Sequence, residues 1–264
     1  YDIVQENLKM HMDGNFALLN LLTSKTRAKD MNEQMRNVFR LAFAFDRRGA
    51  YYRCPLGMSL SGTPLNEALI CLHQILPQFR KENGLQKVQC VVLTDGEAQS
   101  MRFNRELQRD WEENSYMGSA YLNDSCYIRN RKTGYVYGLK NMGYYGDATD
   151  VFLEDLRQSF PDTNFIGIRL MPNGWASSFI QKYTDDTCEY EKSLNHWRKH
   201  KSISLKTSGY HVYFGLSSTS LGNDTEFEVQ EDATKAQIKR AFNKSLKNKK
   251  MNKKILGEFI ELVA

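Results

Sequence analysis

Between Leu60 and Gln99 the apolar positions change their period. Leu65, Ala68, Leu69, Leu72, Ile75, Leu76 and Phe79 recur at helical spacing. Thr63 precedes Pro64, whose fixed φ and missing N–H suit a first helical position. The pattern therefore predicts a helix starting at Pro64, capped by Thr63 and closed by Gly84. Val88–Leu93 is then a short, β-branched, mostly apolar run of the kind buried on both faces of a parallel sheet. It ends in Thr94-Asp95-Gly96-Glu97. Ligands of open α/β sheets bind beyond the carboxyl ends of the strands, where Asp95 and Thr63 can converge from two loops. A hydroxyl and a carboxylate there suit a hard cation such as Mg²⁺.

The same reading covers the remaining chain. Met31, Met35, Val38, Phe39 and Ala42 predict an amphipathic helix ending before Gly49, with the methionines in a core. Phe16, Leu18, Leu19, Leu21 and Leu22 need a core, and Tyr51–Ser61 reads as the loop delivering Thr63. Met101–Trp111 reads as a short helix on the sheet. Tyr121, Tyr127, Ile128, Tyr135, Val136 and Tyr137 flank Asn130-Arg131-Lys132-Thr133-Gly134, a hairpin signal. A helix through Val151, Leu153, Leu156 and Phe160 is stopped by Pro161. The strand Asn164–Leu170, a loop at Met171–Gly174, a charged helix over Asp186–Lys201 and a last central strand at His211–Leu216 follow. The expected fold is α/β: a doubly wound, mostly parallel sheet over residues 1–231, with an inserted β-hairpin at 118–140 and basic C-terminal helices over 232–264.

Composition narrows the chemistry. With 264 residues, 41% hydrophobic and 25% charged, the chain is long enough for a sizeable core and is ordinary for a globular protein. No apolar run approaches the roughly 20 residues that cross a bilayer, so a soluble intracellular protein is expected. The five cysteines, Cys54, Cys71, Cys90, Cys126 and Cys188, have no CxxC spacing and read as reduced structural thiols. His196 and His200 read as a solvated helix face, not a zinc site. The net charge of +5 is concentrated near the end, where Lys239, Arg240, Lys247 and Lys250 could contact phosphate or an acidic partner. An apolar stripe, Ile238, Phe242, Leu246, Ile255 and Phe259, favours amphipathic helices with solvated lysines there. Neither a P-loop nor a GxSxG nucleophile is present, so nucleotide hydrolysis and serine catalysis are not expected.

GTPLNEAL at Gly62–Leu69 and VVLTDGE at Val91–Glu97 together resemble the second and third metal-binding loops of a von Willebrand factor A (VWA) domain. The resemblance implies a metal-ion-dependent adhesion site with Thr63 and Asp95 as metal ligands. Ser61, Gly62, Gly96 and Glu97 would support them, and Mg²⁺ or Mn²⁺ would be the cation. The family's DxSxS loop has no counterpart; Gly57-Met58-Ser59-Leu60-Ser61 lacks the aspartate. The first strand and that loop are therefore expected upstream of Tyr1.

Within the VWA families, the wording FALLNLLTSKTRAKDMNEQMRNVFRL, the central GTPLNEAL…VVLTDGE section and the lysine-rich end look most like phage-encoded proteins described as cobaltochelatase CobT-like. That resemblance implies a protein-interaction module, non-catalytic by itself, working beside a MoxR- or CobS-like AAA+ ATPase as a homo- or hetero-oligomer. Its place would be the cytoplasm of an infected bacterium, or the virion. A phage structural or assembly protein using the fold without metal is the alternative. A metal-dependent nucleic-acid-processing protein built from Asp95, Glu97 and the basic end is weaker, because one acidic loop supplies no two-metal cluster.

Overall fold

The structure is a computed structural model that describes residues 6–11, 16–45, 62–111, 113–140, 148–184, 186–205 and 209–218. In chain order its elements are β1 (Met10–His11), α1 (Ala28–Phe45), α2 (Leu65–Asn83), β2 (Val88–Thr94), β3 (Arg102–Leu107), β4 (Tyr116–Tyr121), β5 (Tyr127–Arg129), β6 (Val136–Gly138), α3 (Thr149–Ser159), β7 (Thr163–Met171), α4 (Ala176–Lys182), α5 (Thr187–His200), β8 (Ser202–Leu205) and β9 (Val212–Ser217). A single 3-10 turn at Asn173–Trp175 precedes α4. The chain divides into two compact units. The first comprises Tyr1–Cys71, Ala98–Cys126 and Gly138–Ala148; the second comprises Leu72–Glu97, Tyr127–Tyr137 and Thr149–Ala264.

The first unit contains an antiparallel sheet in the order β1-β3-β4. Residues 102–107 form a strand where a helix was expected. Phe103, Leu107 and Trp111 recur every fourth residue and so imitate a helical stripe, but Tyr116–Tyr121 supplies a full cross-strand partner, with Phe103 opposite Ala120. Asn104 is buried on this sheet, and its main chain exchanges hydrogen bonds of 2.8 Å with Leu8 and Lys9. The predicted amphipathic helix appears as α1, yet none of its residues is buried, and Met35, Phe39 and Phe43 are exposed. Leu18, Leu19, Leu21 and Leu22 are exposed as well, so the core expected for both segments is not formed among the described residues.

The second unit holds a four-stranded mixed sheet in the order β2-β7-β9-β8. β2, β7 and β9 are parallel, and β8 closes one edge antiparallel to β9. The α/β class and the parallel core match expectation, whereas β8 does not: Ser202-Ile203-Ser204-Leu205 is too short and polar to announce a strand, and it forms because β9 offers it a ladder. Phe165, Ile166, Met171, Leu153, Leu156, Ile180 and Phe214 make the densest part of this core. β7 passes through it with a glycine at 167, where a Cβ would meet the Tyr213 ring at 2.5 Å and the Tyr210 ring at 2.8 Å. α3 lies where Val151, Leu153 and Leu156 predicted it, burying Phe152, Leu153 and Leu156. α5 is capped by Asp186, whose side chain accepts from the Glu189 N–H, and ends at Lys201 in the left-handed region at φ 56°.

β2 departs from the reading of a strand buried on both faces. It is an edge strand among the described residues, and Val91 and Leu93 are 45% and 65% exposed. The organising helix is placed as expected to within one residue: the Ala68 N–H bonds to the Pro64 carbonyl at 3.2 Å. Its stripe is only partly covered, with Leu69 and Leu76 buried but Ile75 and Phe79 exposed. Pro77 lies inside the helix without ending it. The predicted hairpin forms from β5 and β6 around Asn130–Gly134; Tyr116–Tyr121 belongs instead to the first unit's sheet.

Candidate functional site

The loop after β2 is built by Thr94. Its hydroxyl donates to the Gly96 carbonyl at 2.9 Å and accepts from the Gly96 N–H at 3.2 Å, fixing a tight turn with Asp95 at its exposed apex. Glu97, two residues on, has a different task. Its carboxylate pairs with Arg169 through one oxygen and accepts from Lys182 Nζ at 2.9 Å through the other. Arg169 stands opposite Thr94 in the parallel ladder and is only 4% exposed. Its guanidinium lies 5.4 Å from the Phe179 ring centroid, and its Nε has no hydrogen-bond partner among the described residues. Glu97 is thus the counter-charge of a buried arginine, leaving Asp95 as the carboxylate presented beyond the strand end.

Thr63 belongs to the first unit, at the entry to α2. Its carbonyl accepts from the Leu65 N–H at 2.8 Å and the Gln99 N–H at 3.2 Å. Gly62, at φ 72°, is required here, because a side chain would be strained by the backbone and would overlap the Gln99 amide. Inside GTPLNEAL, Asn66 and Glu67 are both buried, and Asn66 Nδ2 reaches the Gln99 carbonyl at 3.5 Å. One Glu67 oxygen has no hydrogen-bond partner among the described residues. Burial, and secondarily the Glu67 charge, push the Cys71 thiol above its usual pKa. The pattern had marked this stretch only as helix, since Asn66 and Glu67 fall off its apolar stripe.

A second polar cluster lies in the second unit. Asp155 of α3 accepts from Asn130 Nδ2 at 2.8 and 2.9 Å, from the Tyr137 hydroxyl at 3.0 Å, and pairs with His73 Nε2 at 3.0 Å. The side-chain oxygen of Asn130 meanwhile accepts from the Lys132 and Thr133 N–H groups, so one residue shapes the hairpin turn and pins it to α3. Burial lowers the His73 pKa below its ordinary value; the Asp155 charge and hydrogen bond oppose that shift, and Lys132 adds to it. Burial, then the Asp155 bond, raise the Tyr137 hydroxyl. A neutral histidine donating to a carboxylate can hold or pass a proton. Here the pair is closed by the asparagine and tyrosine, and its evident work is to hold the hairpin. Neither His73 nor Arg169 was singled out from the sequence, although a lone charge within the apolar run Asn164–Leu170 was the signal for Arg169.

Of the residues singled out, Thr63 and Gly62 lie in the first unit, and Asp95, Gly96 and Glu97 in the second. Ser61, the Gly57–Ser61 stretch, the loop at Tyr51–Ser61, and Lys239, Arg240, Lys247 and Lys250 with their helices lie outside the described residues. Among the described residues no group of three or more His, Cys, Asp or Glu side chains could hold a metal ion. None of the described helices is long and apolar enough to cross a membrane. No protein-family model matches the chain, and no curated protein or solved structure is similar to it.

Proposed function

We infer that the chain is a VWA-type protein-interaction module whose recognition point is the Thr94-Asp95-Gly96 turn, and that it works beside a AAA+ ATPase in the manner of the CobT-like proteins it resembles. The observation that carries this reading is the division of labour between two carboxylates. Glu97 is engaged by Arg169 and Lys182, whereas Asp95 is held exposed at the carboxyl end of a parallel strand by the Thr94 turn. An exposed carboxylate on a rigid turn suits a hard cation, and Mg²⁺ or Mn²⁺ is the fitting class. When bound, the cation would offer an open position to a partner's carboxylate. Arg169 and Lys182 would keep Glu97 away from that cation.

A calorimetric titration with Mg²⁺ and then Mn²⁺ tests this, using the protein and its Asp95→Ala variant. Heat of binding that disappears in the variant is expected; equal binding by both proteins, or none by either, refutes the metal reading. The second reading is an assembly protein that uses the fold without metal. It predicts recovery of the protein in purified virions and no response to divalent ions.

A further inference from the structure

Two imidazoles on α5 offer a metal chemistry different from that of the Asp95 turn. His196 and His200 are one helical turn apart and lie on one face, as residues at i and i+4 do. Their spacing alone fits a solvated face. The structure adds that the two rings face each other, with centroids 4.4 Å apart and planes inclined by 33°. Two nitrogens bound to one ion at about 2.0–2.1 Å in adjacent positions stand about 3 Å apart, so a small turn of either ring about χ2 brings one nitrogen of each to a shared ion. An imidazole has two ring nitrogens, and it can use one in a protein hydrogen bond and the other on a metal. The backbone beneath the pair is fixed. Trp197 is 2% exposed and anchors the helix in the core. The Ser202 hydroxyl donates to the His200 carbonyl at 3.3 Å, the Lys201 N–H donates to the Trp197 carbonyl at 2.7 Å, and the Lys201 carbonyl accepts from the Ser217 N–H at 3.0 Å. Ligands on such a frame lose little backbone freedom when they bind.

We propose that His196 and His200 chelate a divalent transition ion of the nickel and copper class. The number and type of ligands select the ion. Zinc sites use three or four protein ligands, and among the described residues no group of three or more His, Cys, Asp or Glu side chains could hold a metal ion. Two adjacent imidazoles, with water in the remaining positions, suit the tetragonal preference of Cu²⁺ and Ni²⁺, which also stand high in affinity for nitrogen. Mg²⁺ prefers oxygen and is not expected here, so the pair is chemically distinct from the Asp95 turn. Charge alone does not make the site. The carboxyl end of a helix favours a cation, but Lys192 and Lys199, four residues before and three after His196, oppose one. The metal–nitrogen bond itself must therefore supply the affinity, which again selects a transition ion over a hard one.

Calorimetric titration of the 264-residue protein with Ni²⁺, free of any affinity tag, tests the site; Ni²⁺ is the probe because it does not oxidise thiols. One ion per chain, bound in the micromolar range, is expected. His196→Gln and His200→Gln should each weaken binding by about tenfold or more, since the second nitrogen no longer binds as part of a chelate. The double variant Arg198→His/His200→Arg keeps the number of histidines and the charge, but puts the two imidazoles on opposite sides of the helix, about 200° apart. It should bind no better than His200→Gln. In NMR spectra, substoichiometric Ni²⁺ should broaden the ring protons of His196 and His200 before those of His11, His73 and His211. Circular dichroism checks that each variant keeps the fold, and His200, which is exposed, carries the test if substitution at His196 disturbs it. Absence of binding, or binding only in the millimolar range, overturns the proposal. So does binding that His200→Gln and the double variant both retain, or broadening that begins at another histidine.

Discussion

Glu97→Gln removes the counter-charge of Arg169 while keeping the side chain's size and one acceptor oxygen. Breaking a buried ion pair from one side costs about 3–5 kcal/mol when both groups are fully buried, because the remaining charge is left in a poor solvent. Arg169 satisfies that condition at 4% exposure, but Glu97 is 38% exposed, so water already screens the pair. The expected loss is therefore reduced to about 1.5–3 kcal/mol. The Lys182–Glu97 contact joins two groups that are each more than a third exposed, and its removal in Lys182→Met should cost less than about 1 kcal/mol. Arg169→Met should fall between them: it leaves a carboxylate that solvent can reach, and a methionine can pack against Phe179 in place of the guanidinium. Urea unfolding followed by circular dichroism, with the slope m unchanged across the set, gives the order Glu97→Gln, then Arg169→Met, then Lys182→Met. Near-equality of Glu97→Gln with the unsubstituted protein would refute the argument. So would a larger effect for Lys182→Met than for Glu97→Gln.

Three further outcomes are expected. Asp155→Ala should lose about 2–3 kcal/mol, since it strips a half-buried cluster of its acceptor, and should speed amide exchange in residues 127–137 more than in β7. His73 and His211 both have folded pKa values below the ordinary 6.5, mainly through burial, so the unfolded chain binds more protons in that window. Their stability contribution is complete above pH 6.5 and is lost as pH falls from that value through the lower folded pKa; His73→Gln should remove only its share, and histidine proton shifts in NMR should give midpoints below 6.5 for both rings. Burial pushes the Cys90 thiol up to about 11, so at pH 8 iodoacetamide should label exposed Cys188 and spare Cys90 until the protein unfolds, as read by peptide mass spectrometry.

Much of the second unit was legible because its periods are strong and local. The stripe of α2, the run of α3 stopped by Pro161, the mostly apolar strands β2, β7 and β9, and the Asn130–Gly134 turn each follow from side chains a few residues apart. The end of β2 at Thr94-Asp95-Gly96 was legible too, but the closing of that turn by the Thr94 hydroxyl was not. The nature of β3, the existence of β8 and the edge position of β2 were not. Each depends on pairing with another segment, the next strand for β3 and β8 and distant β7 for β2, and a strand gains its hydrogen bonds only from its partner. Residues 102–107 carry an apolar period that fits a helix, and the Tyr116–Tyr121 ladder overrode it.

The candidate site divides along the same line. Sequence alone placed a threonine, an aspartate and their glycines in loops at strand and helix ends, because those residue types have short-range consequences for backbone shape. What Glu97 does was decided by tertiary structure, since the charge it neutralises stands 72 positions further on in β7. The closure of His73, Asn130 and Tyr137 on Asp155 likewise needed three elements brought to one place. Local sequence determined which segments become helices, strands and turns; only packing determined which polar groups are enclosed, because burial is a property of what lies opposite a side chain and not of its neighbours in the chain.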